Sequence, residues 1–263
     1  LKGHDMLEGD EQLTATILGK LVSMLYIDPL SAAIIIEGLD KAKEVTELTL
    51  MHLICKTPDM RQLYLRSGDY EPINDFVLSH AEEFVEVPNQ FKDTDYEWFL
   101  AEVKTALLVL DWINERPMDD ISKRFNVGEG DIHAFSELAE WLMHSLSRLA
   151  RVRENSAADV AGNLEKRIHY GARPELMELV GIRGIGRVRA RRLYDSGLKS
   201  IADIRKADPV ALGNLIGTKT AEKLLREIGM HISIGSGSPG EANSRTMDSL
   251  IGNEQSTFSD FEK

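Results

Sequence analysis

The segment 176–193, LMELVGIRGIGRVRARRL, constrains this chain more than any other. An apolar helical stretch, a tight Gly184-Ile185-Gly186 turn and a second, arginine-loaded helix follow one another there, which is the pattern of a helix-hairpin-helix. Glycine lacks a Cβ, so both turn positions are open to φ > 0, and the bare turn lets a phosphate approach the amides that open the next helix. Around it stand Arg183, Arg187, Arg189, Arg191 and Arg192. Arg187 and Arg191 are four apart and Arg189 and Arg192 three apart, so on a helix they flank an inward row of Val188, Ala190, Leu193 and Tyr194. Such contacts hold nucleic acid of any sequence, because they meet phosphates and not base edges.

A net charge of -12 opposes that reading until the charge is placed along the chain. Residues 145–230 carry 17 Lys+Arg against 10 Asp+Glu, whereas residues 1–144 carry 12 against 28. An asymmetry of this size implies that one part meets a polyanion while the other keeps the protein soluble. At 263 residues the chain can bury more than one core. No run approaches the roughly 18 apolar residues of a membrane span, and the start LKGHDMLEGDEQ lacks the regions of a signal peptide, so a cytoplasmic protein is expected. Its first residue, Leu, suggests a fragment of a longer protein. The single cysteine, Cys55, and seven scattered histidines give no metal site.

In chain order, residues 12–27 alternate as a short strand or wing leading into a helix. Asp28-Pro29 caps a helix over PLSAAIIIEGL, and a second follows over 42–55. Interruptions at Gly68, Pro72 and Pro88 predict small helices and loops from Met60 to Lys92, with Glu82, Glu83 and Glu86 a solvated face. A long helix is predicted over 94–115, capped by Asp93 or Thr94 and stopped by Pro117; Trp98 and Trp112 are assigned to the core. The pattern DDISKRFNVGEGDI has the shape of a helix-turn-helix, but Glu129 and Asp131 in the following turn argue against reading a major groove. That following helix, about 131–152, turns Phe135, Leu138, Ala139, Leu142, Leu146 and Leu149 to the core. Trp141 and Arg148 fall close together away from this stripe. They form either a platform for an unpaired base and its phosphate or a boundary pair packed on a neighbouring helix. Residues 151–173 read as a polar connector with a short helix.

Residues 198–228 repeat the hairpin theme more weakly, with Lys219 and Lys223 outward. The stretch GNLIGTKT, 213–220, lacks the Gly-Lys-Ser/Thr order of a phosphate-binding loop. No catalytic constellation is present, and none of these residues is assigned to catalysis, metal or cofactor binding. Beyond Ser233 the composition predicts disorder. It ends on Gln255, Phe258 and Phe261, whose spacing resembles a sliding-clamp-binding peptide, although that pattern usually has two adjacent aromatic residues.

Five ordered blocks, LGKLVSMLYIDPLSA, MHLICKTPDMRQL, DYEWFLAEVKTALLVLDWI, AEWLMHSLSRLA and ELVGIRGIGRVRARRLYDSGL, resemble the C-terminal half of the archaeal superfamily-two DNA repair helicases of the Ski-like group. The resemblance implies an all-α chain: a winged-helix remnant over 1–28, a helical ratchet bundle over 29–172, a helix-hairpin-helix domain over 173–231 and a tail over 232–263. It implies an ATP-dependent 3′ to 5′ helicase acting on forked or single-stranded DNA, whose motor domains, with their ATP and Mg, lie outside this sequence. It further implies that Trp141 stacks on a base and that Arg187, Arg189 and Arg191 grip the strand leaving the motor. Some relatives carry an arginine two turns before the tryptophan, where this chain has Ala134. A standalone adaptor joining DNA to a sliding clamp, or a protein-binding helical domain, are the alternatives.

Overall fold

The computed structural model describes residues 2–8 and 13–230. At the start, Leu7–Glu8 (β1) pairs antiparallel with Thr14–Ala15 (β2), Leu7 opposite Ala15 and Glu8 opposite Thr14. The strand expected in this region is only these two residues long, because Thr16 caps a helix at once. Its side chain accepts the Gly19 N–H at 3.0 Å and opens α1 (Ile17–Leu25). Asp28 caps α2 (Pro29–Lys41) by accepting the Leu30 N–H at 2.7 Å, with Pro29 at the first helical position. Then α3 (Glu47–Cys55) begins later than residue 42, because Thr46 and Thr49 cap one another reciprocally. The following segment departs from the small helices expected: α4 (Ser67–Ser79) continues through Pro72, which costs one hydrogen bond while Ile73 and Val77 are buried beyond it.

The strut of the bundle is α5 (Tyr96–Ile113), buried on nearly every side. Tyr96, Phe99, Leu100 and Val103 take the inward stripe, so Trp98 lies on the outward side at 62% exposure and is not a core residue; Trp112 is one. Lys104, within this buried helix, donates from Nζ to the Tyr64 carbonyl at 2.8 Å and to Asp69 Oδ2 at 2.6 Å. A buried ammonium needs such partners.

After α6 (Met118–Phe125), Asn126 turns the chain at φ 53°, and α7 (Glu129–Val152) crosses the bundle against α1, α2, α3, α5 and α6. The supposed polar connector is instead α8 (Ala157–Tyr170), which lies along α7. Its buried face is made of Ala157, Ala158, Ala161, Leu164, Arg167 and Ile168, with Ser147 of α7 against it, so only Leu164 and Ile168 carry a strong hydrophobic signal. Ser147 Oγ donates to the Ala158 carbonyl at 2.9 Å across this contact.

Then come α9 (Met177–Val180), α10 (Arg187–Asp195), α11 (Ile201–Lys206), α12 (Pro209–Ile216) and α13 (Thr218–Glu227). The described residues bury two cores. One runs from Met6 to Ile168 and includes Leu18, Leu21 and Val22 of α1, so the first helix belongs to the bundle's own core; the other runs from Ala172 to Ile228. Among the described residues no single helix is long and apolar enough to cross a membrane. The pair α1 and α2 reaches that composition only together, is bent by 118°, and packs buried side chains into the first core.

Gly171, at φ +59°, ends α8 where the cores meet. A Cβ there would lie 2.4 Å from Trp112 Cε2. Gly171→Ala is expected to destabilise the protein by about 2–4 kcal/mol, from left-handed strain and overpacking together. Urea unfolding compared with Gly162→Ala, where the nearest atom is Ser147 Oγ at 3.5 Å, checks this.

Candidate nucleic-acid interface

Two hairpins build the second core. Leu179, Val180, Ile182 and Ile185 of the first pack with Leu212, Ile216, Leu224 and Leu225 of the second. Of the first turn's glycines, Gly184 occupies the left-handed region at φ +87°, while Gly186 is extended at φ -81° and precedes α10. Neither would bring a Cβ within 4 Å of another atom, so the turn is bare on its outer side. Gly217, at φ +91°, makes the corresponding turn before α13, with Lys219 and Lys223 exposed beyond it.

The five arginines divide into two sets. Arg183, Arg189 and Arg192 are exposed, and Arg189 Nη1 donates to the Gly184 carbonyl at 3.2 Å, which holds its guanidinium over the turn. Arg187 and Arg191 turn instead toward the bundle. The Arg187 guanidinium lies 4.0 Å over the Trp112 ring and donates to the carbonyls of Trp112 at 3.3 Å and Gly171 at 3.4 Å. Arg191 grips Glu115 with two hydrogen bonds, 2.7 and 2.9 Å, and Glu175 with one of 2.8 Å. From the same direction, Arg173 donates its amide to Glu115 at 2.9 Å and its Nε to the Asn114 carbonyl at 3.2 Å. Val188 does not join the inward row; it is 61% exposed, because turning Arg187 to the bundle rotates its neighbour outward.

Burial would raise the Glu115 carboxyl, but the Arg191 guanidinium and the Arg173 amide outweigh it and hold it below its ordinary range. Arg187 is lowered by its own burial, which Glu115 partly offsets. Glu115 was not legible as a partner of the hairpin: it ends the α5 region at φ 62°, 76 residues before Arg191, with no sequence signal linking them.

On α7, Trp141 is half-buried. The indole packs at the edge of the first core, and its Nε1 donates to the Leu25 carbonyl at 3.0 Å. It also lines an open groove with Ala134, Phe135, Glu137, Leu138 and Arg61. Arg148, seven residues on, is exposed on the same side. Asp131, in the first turn of α7, accepts the Gly128 N–H at 3.1 Å, so that turn carries a carboxylate where a phosphate would approach. Gln255, Phe258 and Phe261 lie outside the described residues.

Two family models match this architecture: "archaeal helicase, domain 4" over residues 48–171 and a "SAM-like helix-hairpin-helix tandem" over 176–229. Among curated proteins, the chain is similar to ATP-dependent DNA helicase Hel308 of Methanocella arvoryzae, with 45% identity over 227 residues, 84% of this chain and 31% of that protein. It is similar to Hel308 of Methanocaldococcus jannaschii at 41% identity, covering 82% of this chain and 17% of that protein. For Hel308 of Thermococcus kodakarensis the identity is 34%, covering 87% and 21%. The chain thus spans less than a third of the length of these relatives.

Glu115→Gln removes the charge that Arg191 and Arg173 share. It is expected to cost about 1–3 kcal/mol, measured by chemical denaturation near neutral pH. Because the folded pKa is depressed, the wild-type advantage is present above the ordinary carboxylate value of about 4.3 and is lost as pH falls through the lower folded value. The difference between wild type and variant therefore narrows below about pH 4.3.

Proposed function

With the chain a C-terminal part of a Hel308-like helicase, we propose that it guides DNA for an ATP-dependent motor that unwinds forked or single-stranded DNA with 3′ to 5′ polarity in replication repair. The observation that carries this reading is the bare Gly184–Gly186 turn ringed by exposed Arg183, Arg189 and Arg192, with Arg187 and Arg191 of the same hairpin bonded to the helical domain. The turn accepts a phosphate at the opening of α10, the three guanidiniums hold flanking phosphates, and Lys219 serves the corresponding turn of the second hairpin. Arg187 and Arg191 act one step removed, by fixing the hairpin to the bundle. On α7, Trp141 stacks an unpaired base and Arg148 holds its backbone.

ATP and Mg belong to motor domains outside this chain. Residues 213–220 do not fit a nucleotide: they form the end of α12, the Gly217 turn and the start of α13, and follow no strand. The chain's partners in this reading are DNA, its own motor domains and, through Gln255, Phe258 and Phe261, a sliding clamp; its setting is the cytoplasm.

Fluorescence anisotropy on single-stranded, duplex and forked DNA across a salt series tests the proposal. An Arg183/Arg189/Arg192→Ala variant is expected to weaken binding to all three DNAs and to lower the salt slope by about 2–3, one phosphate per arginine. Trp141→Ala is expected to weaken single-strand binding by about tenfold and leave duplex binding unchanged. Absence of wild-type binding at low salt overturns the reading.

A further inference from the structure

We infer that Arg61, from the loop between α3 and α4, is a phosphate-binding residue of a single-strand track along α7, completing a line that continues through Trp141 to Arg148. The inference rests on the reading of Trp141 given above. Arg61 lies where α7 itself offers only Ala134, and the two line one open groove of about 450 Å³ with Phe135 and Trp141. That size lies within the range of sites that hold a small organic group.

Arg61 is placed rather than loose. Its guanidinium carbon stands 4.6 Å from the centre of the Phe135 ring, so one face rests on the aromatic surface and the N–H edge remains available to an oxyanion. The loop beneath it is pinned on both sides. Met60 is buried, Gln62 Nε2 donates to the Cys55 carbonyl, the Leu63 N–H donates to Thr105 Oγ1 at 2.9 Å, and the Tyr64 carbonyl accepts from Lys104 at 2.8 Å. A cation on an anchored loop loses little freedom when it binds.

Asp131 and Glu137 are the carboxylates nearest this guanidinium and groove. The Arg61–Asp131 contact is 3.6 Å long and both side chains are more than half exposed, so it is weak enough for a phosphate to replace. Trp141 is fixed differently. Its only N–H is taken by Leu25, which sets the ring's orientation and leaves its apolar surface toward the groove. Ala134, Trp141 and Arg148 follow one another at seven-residue steps, about 10.5 Å each. The face therefore presents cation, aromatic and cation in sequence. A base between two phosphates matches that order, whereas a duplex, with its bases paired inward, offers no face to the indole.

The test uses this chain with Arg61→Ala, Arg61→Lys and Trp141→Ala, and anisotropy on a fluorescein-labelled oligo-dT single strand and a blunt duplex. Arg61→Ala is expected to bind the single strand about 3–10-fold more weakly and to lower its salt slope by about 0.7, with duplex binding and the melting temperature unchanged. Arg61→Lys, which keeps the charge without the planar stack, falls between. If Arg61→Ala binds the single strand like wild type while Trp141→Ala is impaired, the inference fails and the reading of α7 stands. If neither variant is impaired, both fail. Equal weakening on single strand and duplex also overturns the inference, since it reports only a lost charge.

Discussion

The packing of one arginine on one tryptophan joins the two halves of this molecule. Trp112 is buried at the end of α5, its Nε1 donates to the Ile168 carbonyl at 2.7 Å, and the backbone of Gly171 passes directly against its ring. Arg187 reaches the ring from the hairpin domain, stacked at 4.0 Å and bonded to two carbonyls. Guanidinium stacking suits this place because the cation needs less water than an ammonium and can donate in its own plane while its face lies on the ring. With Arg191, Arg173, Glu115 and Glu175 beside it, the contact fixes the direction in which the bare turn and its three exposed arginines face.

This arrangement also explains where part of the charge asymmetry goes. The basic half does not present all its cations to a polyanion: Arg187 and Arg191 are directed at the end of α5, and Arg167, buried in α8, pairs with Glu47 of α3. The acidic first half supplies Glu115 to Arg191 and Glu47 to Arg167. Net charge per segment thus overstates the free positive charge of the basic half, since opposite charges in the two halves partly neutralise one another at their junction.

What was legible in the sequence follows from the same physics. The α7 stripe and the two hairpins were plain because large apolar residues recur with the helical period and glycines mark the turns. The face of α8 was hidden because three of its buried residues are alanines and a fourth is Arg167, whose burial depends on close approach or an ion pair and not on hydrophobicity. Trp98 was misassigned because size suggested the core, while the helix phase set by Tyr96, Phe99 and Leu100 turned it out. The division of the arginines could not be read at all: it depends on Trp112 and Glu115, more than 70 residues earlier in the chain, and periodicity on α10 carries no information about what lies opposite.

The small-residue seam between α7 and α8 has a mechanical meaning. Ser147 on one side, with Ala157, Ala158, Ala161 and Gly162 on the other, have few rotamers to exchange, so this part of the seam has little capacity to deform by repacking. A force applied to α7 at this end is therefore passed to both helices together.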